Sequence, residues 1–287
     1  VIGNGTGGFI EPNEVIDCGN SGTTARLLIG TISSNPIKCT IVGDRSLSRR
    51  SMSRVTNLLS TIGADFKLTK DDYLPLMISG NSNLLPSEHV MQKASAQIKS
   101  AIILSSLNID GKTTIVEKIP TRNHTEKMMK FLKIKFKEKK LKNGGKIIEL
   151  NGPYEIVSKN IHVANDPSSA AFFIAGALII PNSKITINNV AINPSRIQYL
   201  RILKKMGAKI KIKKTKIKCG EEIGNITAEY SKMKGTKISS SFSPFLIDEY
   251  PILAIVATQA KGKTVMKGLG ELRHKESDRI NSIVSNL

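Results

Sequence analysis

One threonine-bearing phrase returns four times along this chain, at Thr40, Thr114, Thr186 and Thr264, at intervals of 74, 72 and 78 residues. Around each threonine the same order repeats: an apolar helix, a short polar turn, a β-rich run, an Arg-bearing connection and a second helix. The leading helices read as residues 21–30, 95–107, 168–179 and 251–260, and the runs as 38–42, 111–116, 184–187 and 262–266. The basic residues are Arg49 and Arg50, then Arg122, then Arg196, then Arg273 and Lys275. Such a period is too long for a solenoid repeat and suits a subdomain-sized βαβαββ unit. Strand pairs are expected after the complete copies, for example 209–213 followed by 216–219. Each unit offers apolar helices that only a neighbour can cover, so assembled copies gather helix starts and Arg side chains together. A domain boundary is expected at residues 163–165, dividing the chain into 1–163 and 164–287.

The most informative single stretch is residues 17–28, Asp-Cys-Gly-Asn-Ser-Gly-Thr-Thr-Ala-Arg-Leu-Leu. Asn20 and Ser21 are strong helix N-cap residues ahead of an apolar run. Gly22 permits close approach of a ligand, and Thr23, Thr24 and the unpaired amides of the first turn face outward. A helix start of this kind attracts anions through its free N–H groups and its dipole. An ordinary capped helix has the same signature, and these residues alone leave both readings open.

The 287 residues suffice for two domains, and 40% apolar content without a run of 18 argues for a globular protein with no membrane span. Aromatic residues are 5% and Trp is missing, which argues against stacking platforms for single-stranded nucleic acid. Cys18, Cys39 and Cys219 form no CxxC pair, which points to a reducing compartment with neither a disulfide framework nor a zinc site. The net charge of +20 admits a nucleic-acid or membrane surface, or lysine-biased usage together with a site for small anions. The Lys-dense stretch 127–146 reads as a solvated helix face and loop. The chain opens in a strand-like phrase, residues 1–5, and stops within a helical pattern at 277–287; both ends look cut.

Taken together these phrases resemble the 5-enolpyruvylshikimate-3-phosphate synthase family. Its G-N-S-G-T-x-x-R phrase stands at residues 19–26, and G-D-x-S-L-x-x-R-P-M stands at 43–52, with Ser51 in place of Pro. S-A-Q-x-K-S is 95–100, and S/T-R-D-H-T-E is 121–126, with Asn123 for Asp. Residues 166–172, 248–251 and 272–279 complete the set in the family's order.

The resemblance implies an α/β fold of two lobes, each an inverse α/β barrel of three βαβαββ units, of which about four of six are present. It implies transfer of the carboxyvinyl group of phosphoenolpyruvate to the 5-hydroxyl of shikimate 3-phosphate, with release of phosphate, in aromatic amino-acid biosynthesis. No metal or organic cofactor is implied, and the partners are the two small-molecule substrates, not nucleic acid or membrane. A cytoplasmic monomer is expected, with a plastid location left open. Carried over by resemblance, Asp248 is the base or orienting group and Glu276 shuttles the proton at the methylene carbon. Gly22, Arg50, Gln97 and Arg279 contact phosphoenolpyruvate. Ser95, Ala96, Gln97, Thr121, Arg122, Asp248 and Lys275 contact shikimate 3-phosphate.

From the residues alone, Asp248 also suits an N-cap for the helix opening at Pro251, and Glu276 an i,i+3 pair with Arg279. Lys275 and Arg279, four apart, are expected on one helix face. His124 and His162 read as structural. Rival readings are a UDP-N-acetylglucosamine enolpyruvyl transferase, whose loop Cys has no counterpart in residues 44–52, and an RNA 3′-phosphate cyclase, whose His motif is missing. A truncated, inactive binding module is a third. The chain alone is expected to turn over little, because the family's N-terminal Lys and C-terminal Arg are not in it.

Overall fold

The computed structural model describes residues 2–70 and 72–287. It contains the βαβαββ unit in successive copies. The first is β1 (Ile16–Asp17), α1 (Gly22–Ser33), β2 (Lys38–Val42), α2 (Ser53–Ser60), β3 (Asp65–Thr69) and β4 (Tyr73–Ser79). The second is β5 (Glu88–Met91), α3 (Ala96–Ser106), β6 (Gly111–Glu117), α4 (His124–Phe131), β7 (Phe136–Lys140) and β8 (Lys146–Gly152). Their sheets share one order, β1-β2-β4-β3 and β5-β6-β8-β7, with the first pair parallel and the others antiparallel.

In the third copy a parallel bridge from Asn165 to Val190 stands where the others have their first strand. It continues with α5 (Pro167–Ile179), β9 (Lys184–Ala191), α6 (Gln198–Lys205), β10 (Lys209–Lys218) and β11 (Glu221–Glu229), in sheet order β10-β11-β9. The fourth holds β12 (Lys237–Ile238), a short α7 (Ser243–Leu246), α8 (Tyr250–Thr258), β13 (Val265–Met266) and α9 (Arg279–Asn286), with β12 and β13 parallel. Thr40, Thr114 and Thr186 lie in the second strand of their copies, and Thr264 immediately precedes β13.

Three local expectations change. The anticipated pair 209–213 and 216–219 is one strand, β10, with a bulge between Lys214 and Lys216, paired with β11. The reversal falls at Cys219 and Gly220, whose φ values of +50° and +80° suit a two-residue hairpin turn. Alternation running on through Thr215 carries no turn signal of that strength, so the strand bulges instead of ending. The Lys-dense stretch 127–146 is α4 and then β7, a strand exposed along most of its length. Residues 2–5 form no strand, and Val1 lies outside the described residues.

The chain divides into two compact units: 1–121 with 129–159, and 122–128 with 160–287. In the first, α1 packs on α3. The contact is close at Gly30, where a Cβ would stand 2.2 Å from the Ala101 carbonyl oxygen. Ala25, Ile29, Val55, Leu59 and Leu76 fill one core, and Ile102, Ile103, Ile115 and Ile148 another. In the second unit α5 packs on α8 over Ile174, Leu178, Leu200, Leu253 and Val256. Among the described residues no helix is long and apolar enough to cross a membrane.

Gly30→Ala forces α1 and α3 apart at a backbone contact, and a loss of about 1–3 kcal/mol is expected in denaturant unfolding. His89, 2% exposed on β5, has an Nε2 without a partner among the described residues, and burial pushes its pKa down. The unfolded chain therefore takes the proton first. Stability should be full above the ordinary His value of about 6.5 and fall as pH drops below it. His89→Leu should flatten that slope in unfolding curves at pH 7 and pH 5.

Candidate functional site

At the start of α1, Ser21 is the cap: its hydroxyl accepts the Thr24 N–H at 3.1 Å. Asn20 turns elsewhere, donating to Asp44 Oδ2 at 2.7 Å and accepting from Arg50. Asp44 is fixed in turn by the Leu47 N–H at 2.7 Å, so the 43–52 phrase is folded onto the helix start. Gly22 leaves room for two guanidinium groups. A Cβ there would lie 2.8 Å from Arg26 Nη1 and 3.3 Å from Arg50 Nη1.

Arg26, part of the 19–26 motif but without an expected role, is the hub of this cluster. Its Nη1 donates to Gln97 Oε1 at 2.8 Å and its Nη2 to the Ser51 carbonyl at 3.0 Å. Gln97 Nε2 closes the ring by donating to Thr23 Oγ1 at 2.7 Å. Burial, then Arg50 and Arg54 nearby, push the Arg26 pKa down. Like charges held together in this way favour an anion among them, and the α1 start adds unpaired amides. The available signal was spacing: Arg26 is four residues after Gly22 and so sits over the same helix face. Ser51, standing where the family has Pro, is held by its hydroxyl to Asp72 Oδ1 at 2.6 Å.

Ser95 caps α3 through the Ile98 N–H at 3.3 Å, which places Ala96 at the first helical position. Thr121 donates to Glu117, which also takes Lys99 Nζ at 2.9 Å. Lys99 and Glu117 are 0% and 1% exposed, an ion pair buried beneath the α3 start. The first unit thus brings Gly22, Arg50 and Gln97 into one network and puts Thr121 on a second one.

The second unit assembles the other set around Asp248. Arg122 Nη2 donates to its Oδ2 at 2.7 Å, and Arg279 Nη1 to its Oδ1 at 3.3 Å. Burial acts to raise the Asp248 pKa, but Arg122, Lys275 and Arg279 outweigh it and hold the carboxyl below its ordinary value. Lys275 is pushed down by burial and partly restored by Asp248. Glu276 Oε2 accepts from Arg279 Nη2 at 2.5 Å, so the i,i+3 pair exists.

Two expectations about this set are corrected. Asp248 is not the α8 cap: that position is Glu249, with helical dihedrals and no side-chain capping bond. Two cations draw the Asp248 carboxylate away from the helix start. Lys275 and Arg279 share no helix face, because Gly270–His274 is a 3-10 turn, Lys275 is extended, and α9 begins at Arg279 under an Asp278 cap. Arg279 bonds Asp248 directly, while Lys275, on the bend between these elements, acts on it through its charge.

Sequence reasoning also missed Glu249. It is 1% exposed, its Oε1 accepts from Ser168 at 2.5 Å, and burial raises its pKa, with Asp248 adding to the rise. Arg196, the basic residue of the third copy, is taken up by Asp166 Oδ1 and Ser168 Oγ, each at 2.8 Å. A lone Glu beside an expected site residue gives no sequence signal of its burial. His124 has a structural partner, its Nδ1 lying 2.6 Å from Glu221 Oε1; at His162 it is the backbone N–H that meets Cys219 Sγ, at 3.1 Å. Cys18, Cys39 and Cys219 are free thiols, the first two buried.

These features define a protein of repeated βαβαββ units with arginines gathered at helix starts, the enolpyruvate transferase class of fold. The whole of residues 1–287 matches the EPSP synthase (3-phosphoshikimate 1-carboxyvinyltransferase) family, and the chain belongs to that family. A 3-phosphoshikimate 1-carboxyvinyltransferase of Novosphingobium aromaticivorans is 41% identical over 99% of this chain and 64% of its own length. That of Bartonella henselae is 42% identical over 100% of this chain and 65% of its own. The solved EPSP synthase of Acinetobacter baumannii superposes with a TM-score of 0.82 at 39% identity, over 98% of this chain and 62% of that one. The enolpyruvyl transferase NikO of Streptomyces tendae, at 15% identity and a TM-score of 0.60, shares the fold. The chain therefore spans somewhat less than two thirds of the length of these relatives.

Lys99→Met removes the ammonium 2.9 Å from the buried Glu117 and leaves it Thr121 and the more distant Lys146, at 3.9 Å. A loss of about 3–5 kcal/mol is expected in chemical denaturation, and Lys99→Met with Glu117→Leu should recover most of it.

Proposed function

We propose that the protein transfers the carboxyvinyl group of phosphoenolpyruvate to the 5-hydroxyl of shikimate 3-phosphate and releases phosphate. The observation that carries this reading is the ionised Asp248 held among Arg122, Lys275 and Arg279, in a chain of this family. Both substrates are polyanions, and bringing them together demands fixed cations and amides. For phosphoenolpyruvate the residues are Gly22, Arg50, Gln97 and Arg279. The forked guanidinium of Arg matches phosphate and carboxylate oxygens two at a time. For shikimate 3-phosphate they are Ser95, Ala96 through its amide, Gln97, Thr121, Arg122, Asp248 and Lys275.

The chemistry has three requirements: a proton onto the vinyl methylene carbon and off it again as phosphate leaves, a proton off the attacking hydroxyl, and a stable seat for the leaving phosphate. Asp248, kept ionised by its cations, accepts a hydrogen bond from the hydroxyl and orients it. Glu276, aimed by Arg279, handles the proton at the methylene carbon. Such coupled groups act as a set. The same reading divides the protein into lobes at 1–163 and 164–287. It makes the protein a cytoplasmic monomer that needs no cofactor and binds neither nucleic acid nor membrane.

In the full-length gene product, phosphate release from phosphoenolpyruvate should require shikimate 3-phosphate; release driven by UDP-N-acetylglucosamine instead would sink the assignment. Asp248→Asn should lower kcat by about 10²–10⁴ with a smaller effect on KM.

A further inference from the structure

Arg122 owes its place to the short segment that it opens. Residues 122–128 belong to the second unit, and contacts from two elements of that unit converge on them. We propose that Glu221, the first residue of β11, is a positioning residue that anchors this segment and thereby seats Arg122 against Asp248. The inference rests on the reading that Arg122 and Asp248 receive shikimate 3-phosphate.

The Glu221 carboxylate takes three donors. His124 Nδ1 is 2.6 Å from Oε1, while Lys127 Nζ and Asn193 Nδ2 reach Oε2 at 3.1 and 3.2 Å. Asn193, 1% exposed, also donates to Asn123 Oδ1 at 2.9 Å. Its own oxygen receives the Ser195 N–H at 3.0 Å and hydroxyl at 2.8 Å, which fixes the amide's orientation. Positions 123, 124 and 127 are thus tied to one carboxylate and its amide neighbour.

The backbone adds a steric stop. Gly220, at φ +80°, lies so close to the segment that a Cβ would stand 2.6 Å from the Lys127 carbonyl oxygen. The β10–β11 turn and its first paired residue therefore touch the segment together, one by shape and one by charge. Burial opposes ionisation of Glu221, but His124 and Lys127 outweigh it and the carboxyl stays charged. A half-buried carboxylate held by three donors has little freedom to turn. Arg122 lies two residues before His124 and inherits that constraint. The signature stretch 121–126 then has a division of labour: Arg122 meets Asp248, while Asn123 and His124 hold the segment in place.

The test is carbon-13 NMR of the Asp248 side-chain carboxyl, which needs no substrate, alongside calorimetric titration of shikimate 3-phosphate into the same samples. In Glu221→Ala the Asp248 titration midpoint should rise by about one pH unit as Arg122 draws away. Affinity for shikimate 3-phosphate should weaken about tenfold. Glu221→Gln keeps the shape and loses the charge, so it should move both readouts part of the way even if the Ala variant fails to fold. Gly220→Ala leaves every charge in place and displaces the segment, and should move both readouts in the same direction. An Asp248 midpoint unmoved in folded Glu221 and Gly220 variants would overturn the proposal, as would a moved midpoint with unchanged affinity. If the unaltered protein fails to bind shikimate 3-phosphate, the substrate reading falls and the Asp248 midpoint alone decides the anchor.

Discussion

The leading helices of the copies are rich in apolar surface that a single sheet cannot cover, and that constraint organises the rest. α3 and α5 are apolar nearly all round, so each buries more than a single face, although Phe172 and Phe173 of α5 stay exposed. Each is covered by the leading helix of another copy: α1 packs on α3, and α5 on α8. A backbone-close contact such as Gly30 against Ala101 leaves no freedom in how the first pair meets. Two helices paired in this way bring their N-termini side by side. Polar contacts mark the pairing: Gln97, near the start of α3, bonds Thr23 and Arg26 of α1, and Ser168 on α5 bonds Glu249 at the start of α8. The sites are consequences of core packing.

Once helix starts are gathered, their electrostatics decide what each pair becomes. No acidic residue stands in the first turn of α1 or of α3, and Arg26, Arg50 and Arg54 crowd the α1 start. That excess of positive charge is suited to a bound anion. At the α5 and α8 starts the same design is internally neutralised. Asp166 caps α5 and takes Arg196, and Ser168 links Arg196 to Glu249. The helix starts are equivalent in the repeat, and acidic residues at the α5–α8 pair take up its arginine.

The repeat itself was legible in the sequence because hydrophobic period and turn residues are local. Thr40, Thr114 and Thr186 fall in equivalent strands, and Ser21 and Ser95 cap the helices they precede. What sequence could not show depended on residues far apart. The β10 strand absorbs Thr215 as a bulge because β11 stays paired on both sides of it. Asp248 has the composition of a cap, yet Arg122, 126 residues away, claims its carboxylate. Lys275 and Arg279 have helical spacing without a shared helix, since the Asp278 cap restarts the backbone between them. Arg26 stood inside a recognised phrase, but its bonds to Gln97 and to the Ser51 carbonyl exist only after α1 meets α3.

Asp248 and Glu249 show how finely such placement works. They are neighbours of nearly the same chemistry, and their pKa values move in opposite directions. Asp248 faces Arg122 and Arg279 and is stabilised as an anion; Glu249 turns inward to Ser168, where burial favours its neutral form. Two adjacent buried anions would repel each other strongly in a medium of low dielectric. Separating their environments lets one carboxyl carry the charge while the other holds its proton to higher pH. The cations around Asp248 then act on one negative charge whose position is fixed.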